Sequence, residues 1–96
     1  MFKFLDPLLH SPLRLAIVSL LIGLEEAEFV YLKEKTNASA GNLSLQIDKL
    51  HSPGYIQVTK GFKGKYPVTI CKITPLGMNS FEEYVSAIKT YINTGD

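Results

Sequence analysis

At Ser52-Pro53-Gly54 the sequence changes period. Before it, Leu43, Ile47 and Leu50 recur at steps of four and three, the spacing of one face of an α-helix. After it, Tyr55 to Phe62 and Tyr66 to Ile73 are rich in β-branched and aromatic residues and alternate as strands do. Lys63-Gly64-Lys65 lies between those two runs and makes the tip of a hairpin. Proline cannot continue a helix and glycine readily leaves it, so the stop is firm. A helix that ends there hands the chain directly to a basic hairpin.

The flanking elements follow from capping signals. Asp6-Pro7 and Ser11-Pro12 each pair a capping side chain with proline at the first helical position. They predict a short helix from about Pro7 to His10 and a longer one from about Pro12 to Leu24. The longer helix is apolar on nearly every side, which buries it on more than one face. Glu25-Glu26-Ala27-Glu28 reads as an exposed loop or a short extended piece. Phe29, Val30 and Leu32 open a short helix ending near Lys35, and Thr36-Asn37-Ala38 is a tight turn. Ser39 is a good N-cap for a helix from about Ala40 to His51. Thr74-Pro75 starts a last helix, with Phe81, Tyr84, Val85, Ile88, Tyr91 and Ile92 at helical spacing. Two short helices joined by such a turn make a helix-turn-helix unit, and the hairpin behind it is a wing.

The length of 96 residues allows one domain, residues 1–96, with a thin margin of stability. Hydrophobic residues make up 46% and charged residues 20%, a globular balance. The net charge is only +1, which excludes coating nucleic acid by bulk charge. The local charge is uneven. Residues 1–50 sum to −1 from five bases and six acids. Residues 51–74 carry Lys60, Lys63, Lys65 and Lys72 with no acid, a net of +4. Residues 75–96 sum to −2 from Lys89 against Glu82, Glu83 and Asp96. A partner meets that local basic segment first. Lysines that merely keep a hairpin solvated are the plainer reading.

A single cysteine, Cys71, excludes an intramolecular disulfide and a multi-cysteine zinc site. The longest nearly apolar run, Leu15 to Leu24, spans ten residues, where a membrane crossing needs about 20. That run ends in Glu25 and Glu26 without a small-residue cleavage pattern, so the cytoplasm is the expected compartment. No membrane partner is expected.

Several short motifs, taken in order, carry a resemblance. Ser39-Ala40-Gly41-Asn42-Leu43-Ser44, then Leu50, then Gly54-Tyr55-Ile56, resembles the recognition-helix signature of small prokaryotic winged-helix regulators, the MarR-like and ArsR-like transcription factors. Lys60 before the wing, Thr69 in the return strand, Thr74-Pro75-Leu76-Gly77 after it, and Ser11-Pro12-Leu13-Arg14-Leu15-Ala16-Ile17 upstream are similar too. Ser44-Leu45-Gln46 departs from the pattern, which is often basic or His-containing there. The resemblance implies an α+β, mostly helical winged helix-turn-helix fold with a two-stranded wing and a C-terminal dimerisation helix. It further implies a homodimer built by the first and last helices that binds double-stranded DNA.

The residue chemistry is compatible with that role. A helix fits the major groove with its first residues aimed at base edges. Ser39, Asn42 and Gln46 suit that task, since Asn and Gln pair with adenine and Ser bonds base or phosphate. Ser39 as a plain cap, and Asn42 and Gln46 as an ordinary wet face, are the duller alternatives. Lys63 and Lys65 at the tip, Lys60 along the strand and Lys49 near the helix end suit phosphate. Gly41, costly inside a helix, fits either close approach to DNA or crowding against the preceding helix. Arg14, the only arginine, is expected to leave the core and meet an acid or a phosphate.

An enzyme finds no support. His10 and His51 are far apart, Cys71 belongs on an inward strand face, and no glycine-rich phosphate loop is present. Glu25, Glu26 and Glu28 lack a histidine to complete a metal site. No cofactor, catalytic residue or metal ligand is assigned, and nothing points to a small-molecule effector. The remaining rival is a winged-helix module that docks on another protein without contacting DNA.

Overall fold

A computed structural model describes residues 1–92, in the order α1 (Pro12–Leu24), β1 (Glu26–Glu28), α2 (Phe29–Thr36), α3 (Ala40–His51), β2 (Ile56–Lys63), β3 (Tyr66–Ile73) and α4 (Pro75–Ile92). This is the helix-turn-helix with a wing that the sequence implied. The strands form one antiparallel sheet in the order β1-β3-β2. The acidic stretch is therefore extended: Glu26, Ala27 and Glu28 pair with Lys72, Cys71 and Ile70. That third strand ties the wing to the end of α1.

The expected helix from Pro7 to His10 is absent. Asp6 caps a single turn instead, its side chain accepting from Leu8 N at 2.9 Å and its carbonyl from His10 N at 2.9 Å. Ser11-Pro12 follows at once and starts α1, which leaves no room for a second turn. Residues before Pro12 form a strap along α4. Lys3 N donates to Thr90 Oγ1 at 3.1 Å, Tyr91 Oη donates to the Lys3 carbonyl at 2.9 Å, and Phe2 stacks on Tyr91 at 4.8 Å. Farther along, the Tyr55 hydroxyl donates to Asp6 Oδ2, and burial together with that bond raises the Tyr55 pKa. His10 Nδ1 and the Tyr84 hydroxyl lie 2.9 Å apart.

The core takes one stripe from each element. Leu9 of the strap, Ile17, Val18 and Leu21 of α1, Leu32 of α2, and Leu43, Ile47 and Leu50 of α3 pack against Ile56, Cys71 and Ile73. Fully burying such a side chain stabilises by about 1.5–3 kcal/mol. Thr74 locks the start of α4 to the wing: its hydroxyl meets the carbonyls of Gly54 and Tyr55 at 2.6 and 2.9 Å, and Gly77 N donates to it at 3.0 Å. The molecule measures 56 × 25 × 21 Å, with a radius of gyration of 14.6 Å. A compact domain of this length has about 12.5 Å. α4 and its strap account for the excess, since an 18-residue helix is about 27 Å long.

Candidate nucleic-acid interface

The turn that aims α3 is set by two local devices. Asn37 takes the left-handed conformation, φ 55° and ψ 27°, which closes α2. Ser39 then holds extended angles, and its Oγ accepts from Asn42 N at 3.2 Å, satisfying a free donor of the first turn. Because Leu43, Ile47 and Leu50 face inward, a step of about 100° per residue turns Gly41, Leu45 and Asp48 outward. Ser39, Asn42 and Lys49 are exposed, and Gln46 is half-buried on the flank toward α1.

Arg14 pairs with no acid among the described residues. Its Nε donates to the Leu8 carbonyl at 2.7 Å and its Nη1 donates to Gln46 Oε1 at 2.5 Å. Gln46 Nε2 in turn donates to Asn42 Oδ1 at 3.0 Å. The sequence held no signal for this, because Arg14 and Gln46 lie on different helices. It joins two of the expected base-reading residues to the helix behind them. Gly41 has nothing within 4 Å of the place a Cβ would occupy, so crowding against the preceding helix does not explain it.

The wing presents its lysines on different faces. Alternation along β2 puts Lys60 on the side of Ile56 and Val58, toward α3, and Lys63 on the opposite side. Lys60 and Thr69 edge a groove of about 280 Å³ whose other wall is Ser44, Ile47 and Asp48 of α3. Lys63 Nζ lies 2.9 Å from Glu28 Oε2, an ion pair across the sheet with the lysine side chain 73% exposed. Lys65 follows Gly64 in a two-residue turn. Gly64 at φ 65°, with no positive φ at Lys65, has the pattern of a type II′ hairpin. The lysines therefore surround the wing tip rather than form one patch.

Three exposed apolar residues lie at this surface; Leu45 and Phe62 were not singled out by sequence reasoning, and Tyr66, whose strand position favours packing over contact with a DNA sugar, is exposed. Leu45 is 52% exposed on the outward face of α3, and Phe62 and Tyr66 are each 77% exposed near the wing tip. Leu45 had a signal, since it falls two residues off the Leu43 stripe. Phe62 had none, because strand alternation groups it with the core-facing Val58. Cys71 is buried, and burial pushes its thiol up to about 11. Among the described residues no three His, Cys, Asp or Glu side chains gather into a possible metal site. No helix there is long and apolar enough to cross a membrane.

Comparison with known proteins agrees with this geometry. An uncharacterised protein of Methanocaldococcus jannaschii is 42% identical over 80 residues, which are 82% of this chain and 86% of the relative. The structure of a transcriptional regulator homologue from Pyrococcus horikoshii superposes with a TM-score of 0.86 at 28% identity, covering 93% of this chain and 88% of the other. The YusO protein of Bacillus subtilis shares the fold, with a TM-score of 0.74 at 19% identity over 86% of this chain and 58% of the other. Residues 13–92 match the family model described as a winged helix DNA-binding domain. The expected kinship with small winged-helix regulators therefore holds, and this is a family of DNA-binding regulators rather than of enzymes. The chain belongs to the winged-helix DNA-binding domain family.

Proposed function

We propose that the protein is a sequence-specific regulator of transcription that binds double-stranded DNA as a homodimer in the cytoplasm. α3 enters the major groove, with Ser39, Asn42 and Gln46 toward base edges and phosphate. Lys49, Lys60, Lys63 and Lys65 meet the DNA backbone, with the wing tip on phosphate or in the minor groove. The observation that carries this reading is the capped α3, uncharged from Ala40 to Ile47 and exposed beside a groove edged by Lys60. Its N-terminal N–H groups and dipole favour an anion, and the basic wing extends the same field.

The second copy is argued from unused apolar surface. Leu76, Met78, Tyr91 and Ile92 of α4 are between 40% and 69% exposed, on a helix that extends beyond the core. Phe2 and Phe4 of the strap are exposed beside it. A two-fold dimer presents its α3 helices symmetrically, so half-sites are spaced by about 10–10.5 bp or a multiple.

The test is an anisotropy titration of random duplex at low and moderate salt, followed by selection from a random pool. Binding that falls steeply with salt, with enrichment of a two-fold symmetric site, supports the reading. A folded protein that binds no duplex at low salt overturns it. The exposed Leu45, Phe62 and Tyr66 favour, in that case, a protein-docking module as the alternative.

A further inference from the structure

Opposite its buried stripe, α3 carries an outward ridge of Gly41, Leu45 and Asp48. Leu43, Ile47 and Leu50 face the core, and at about 100° per residue Leu45 falls almost opposite them. Asn42 and Asp48 stand three residues to either side of Leu45, each about 60° round the helix, in opposite senses. The surroundings agree with that placement. Asn42 lines a groove with Pro12, Leu13 and Ala16 of α1, while Asp48 lines the groove edged by Lys60 and Thr69 of the wing. Leu45 is 52% exposed, Asp48 is exposed, and Gly41 has no side chain to offer.

Neither side chain serves the protomer. Leu45 lies outside the core cluster. The one ion pair among the described residues joins Lys63 to Glu28, so the Asp48 carboxylate has no cation at ion-pair distance. It stands three residues from the end of α3, where the helix dipole favours cations instead. On a helix facing DNA it also repels phosphate. A carboxylate with both costs adds neither stability nor general affinity.

The major groove gives each side chain one good match. An ionised carboxylate only accepts hydrogen bonds. Guanine shows it two acceptors, thymine one acceptor, and adenine an acceptor beside its donor; cytosine alone shows a donor, N4, and no acceptor. Leucine forms no hydrogen bond, and thymine alone offers an apolar group, its C5 methyl. Against any other base edge, leucine strips water from polar atoms without replacing their bonds. Three residues span about 4.5 Å along the helix, against about 3.4 Å per base pair, so Leu45 and Asp48 face neighbouring base pairs.

We infer that Leu45 and Asp48 are specificity-determining residues that read a thymine and a cytosine on neighbouring base pairs of each half-site, Leu45 through the methyl and Asp48 through N4. The inference rests on the proposal that α3 enters the major groove, and it deepens that proposal by naming bases.

The test selects sites from a random duplex pool with the wild type and with Asp48→Asn and Leu45→Ala, each checked by circular dichroism and melting. The position whose preference is lost in Asp48→Asn should be cytosine, and changing it should weaken the wild type by roughly 5- to 150-fold, the range for one wrong base pair. The same variant should bind random duplex up to about fivefold more tightly per protomer, since a charge facing phosphate is gone. Higher general affinity with lower selectivity marks base reading, because a merely structural residue lowers both when replaced. Deoxyuridine in place of the neighbouring thymine removes only the methyl. It should weaken the wild type by about fourfold per half-site, equivalent to about 0.8 kcal/mol for that group, and leave Leu45→Ala unaffected. A base other than cytosine at the Asp48 position, or an undiminished preference in folded Asp48→Asn, overturns the inference. So does indifference of the wild type to deoxyuridine, or equal sensitivity in Leu45→Ala. Should a variant not fold, the wild type decides: selected half-sites without neighbouring thymine and cytosine overturn the inference, as does indifference to deoxyuridine. All these outcomes leave DNA binding standing. Absence of all duplex binding by the folded wild type overturns the DNA reading itself.

Discussion

Two helical glycines give opposite expectations for one substitution. Gly77 lies near the start of α4, and a Cβ added there would meet the Tyr55 carbonyl oxygen at 2.2 Å and Ile73 Cδ1 at 2.8 Å. The Ile73 methyl can turn aside, but the carbonyl is backbone and must move by about 1 Å to reach ordinary contact. That oxygen accepts from Thr74 N at 3.2 Å and Thr74 Oγ1 at 2.9 Å, the bonds that join wing and α4. Losing both costs about 1 kcal/mol each. Strain from overpacking adds about 2 kcal/mol, and the helix propensity of alanine returns about 1. Gly77→Ala should therefore destabilise by about 3 kcal/mol, a large part of the roughly 5–14 kcal/mol expected for this length. At 4–8 °C per kcal/mol, the melting temperature should fall by about 12–24 °C. Gly41→Ala meets nothing within 4 Å, so it should stabilise the fold by up to about 1 kcal/mol and weaken DNA binding, because open space at Gly41 leaves close approach to DNA as the reason for glycine. Urea unfolding followed by circular dichroism, with duplex titration beside it, measures both. Equal stabilisation by the two substitutions would refute the close-packing argument at Gly77. Gly41→Ala with unchanged DNA affinity would refute the approach argument.

Cys71 should be unreactive in the native protein, because its thiol is buried and pushed up to about 11. Cys71→Ala should cost stability only, and release of the wild type from DNA by peroxide, absent in the variant, would show a redox sensor instead. Lys65→Ala should flatten the slope of log K against log salt by about 0.9 per protomer without changing sequence preference. Lys63 must leave Glu28 to reach phosphate, and an exposed pair is worth at most about 1 kcal/mol. Glu28→Gln should thus raise affinity for all duplexes by up to about fivefold per protomer, whereas unchanged or lower affinity would place Lys63 away from the DNA. Tyr84 is only 6% exposed inside the protomer, so Ile92, 69% exposed, is the better probe of self-association. Ile92→Glu should sediment as a folded monomer, and a wild type that is already monomeric at micromolar concentration rejects the dimer.

Where local chemistry decides an element, the sequence announced it. Ser39, Ser52-Pro53-Gly54 and Thr74-Pro75 act through contacts a few residues away, and the boundaries of α3 and the start of α4 fall where those residues put them. The same logic failed at Asp6-Pro7, where both signals were real but the next helix began too soon for a second turn. β1 was legible only as an extended option, since its pairing with β3 depends on residues more than forty positions away. Leu9 shows the limit for the core: it lies before α1 and outside every apolar stripe read from the sequence, yet it is fully buried in the protomer. At the candidate site the individual residue types were readable, and their states were not. Nothing in the order of letters says that Arg14 holds Gln46 by its oxygen, or that Glu28 already neutralises Lys63. Those states decide which hydrogen-bonding groups remain free, and a DNA sequence is selected by free groups. Residue type alone treats Asn42 and Gln46 alike, whereas the contacts separate them: the Gln46 oxygen is held by Arg14, and the exposed Asn42 oxygen accepts one bond and keeps a lone pair beside its own N–H groups.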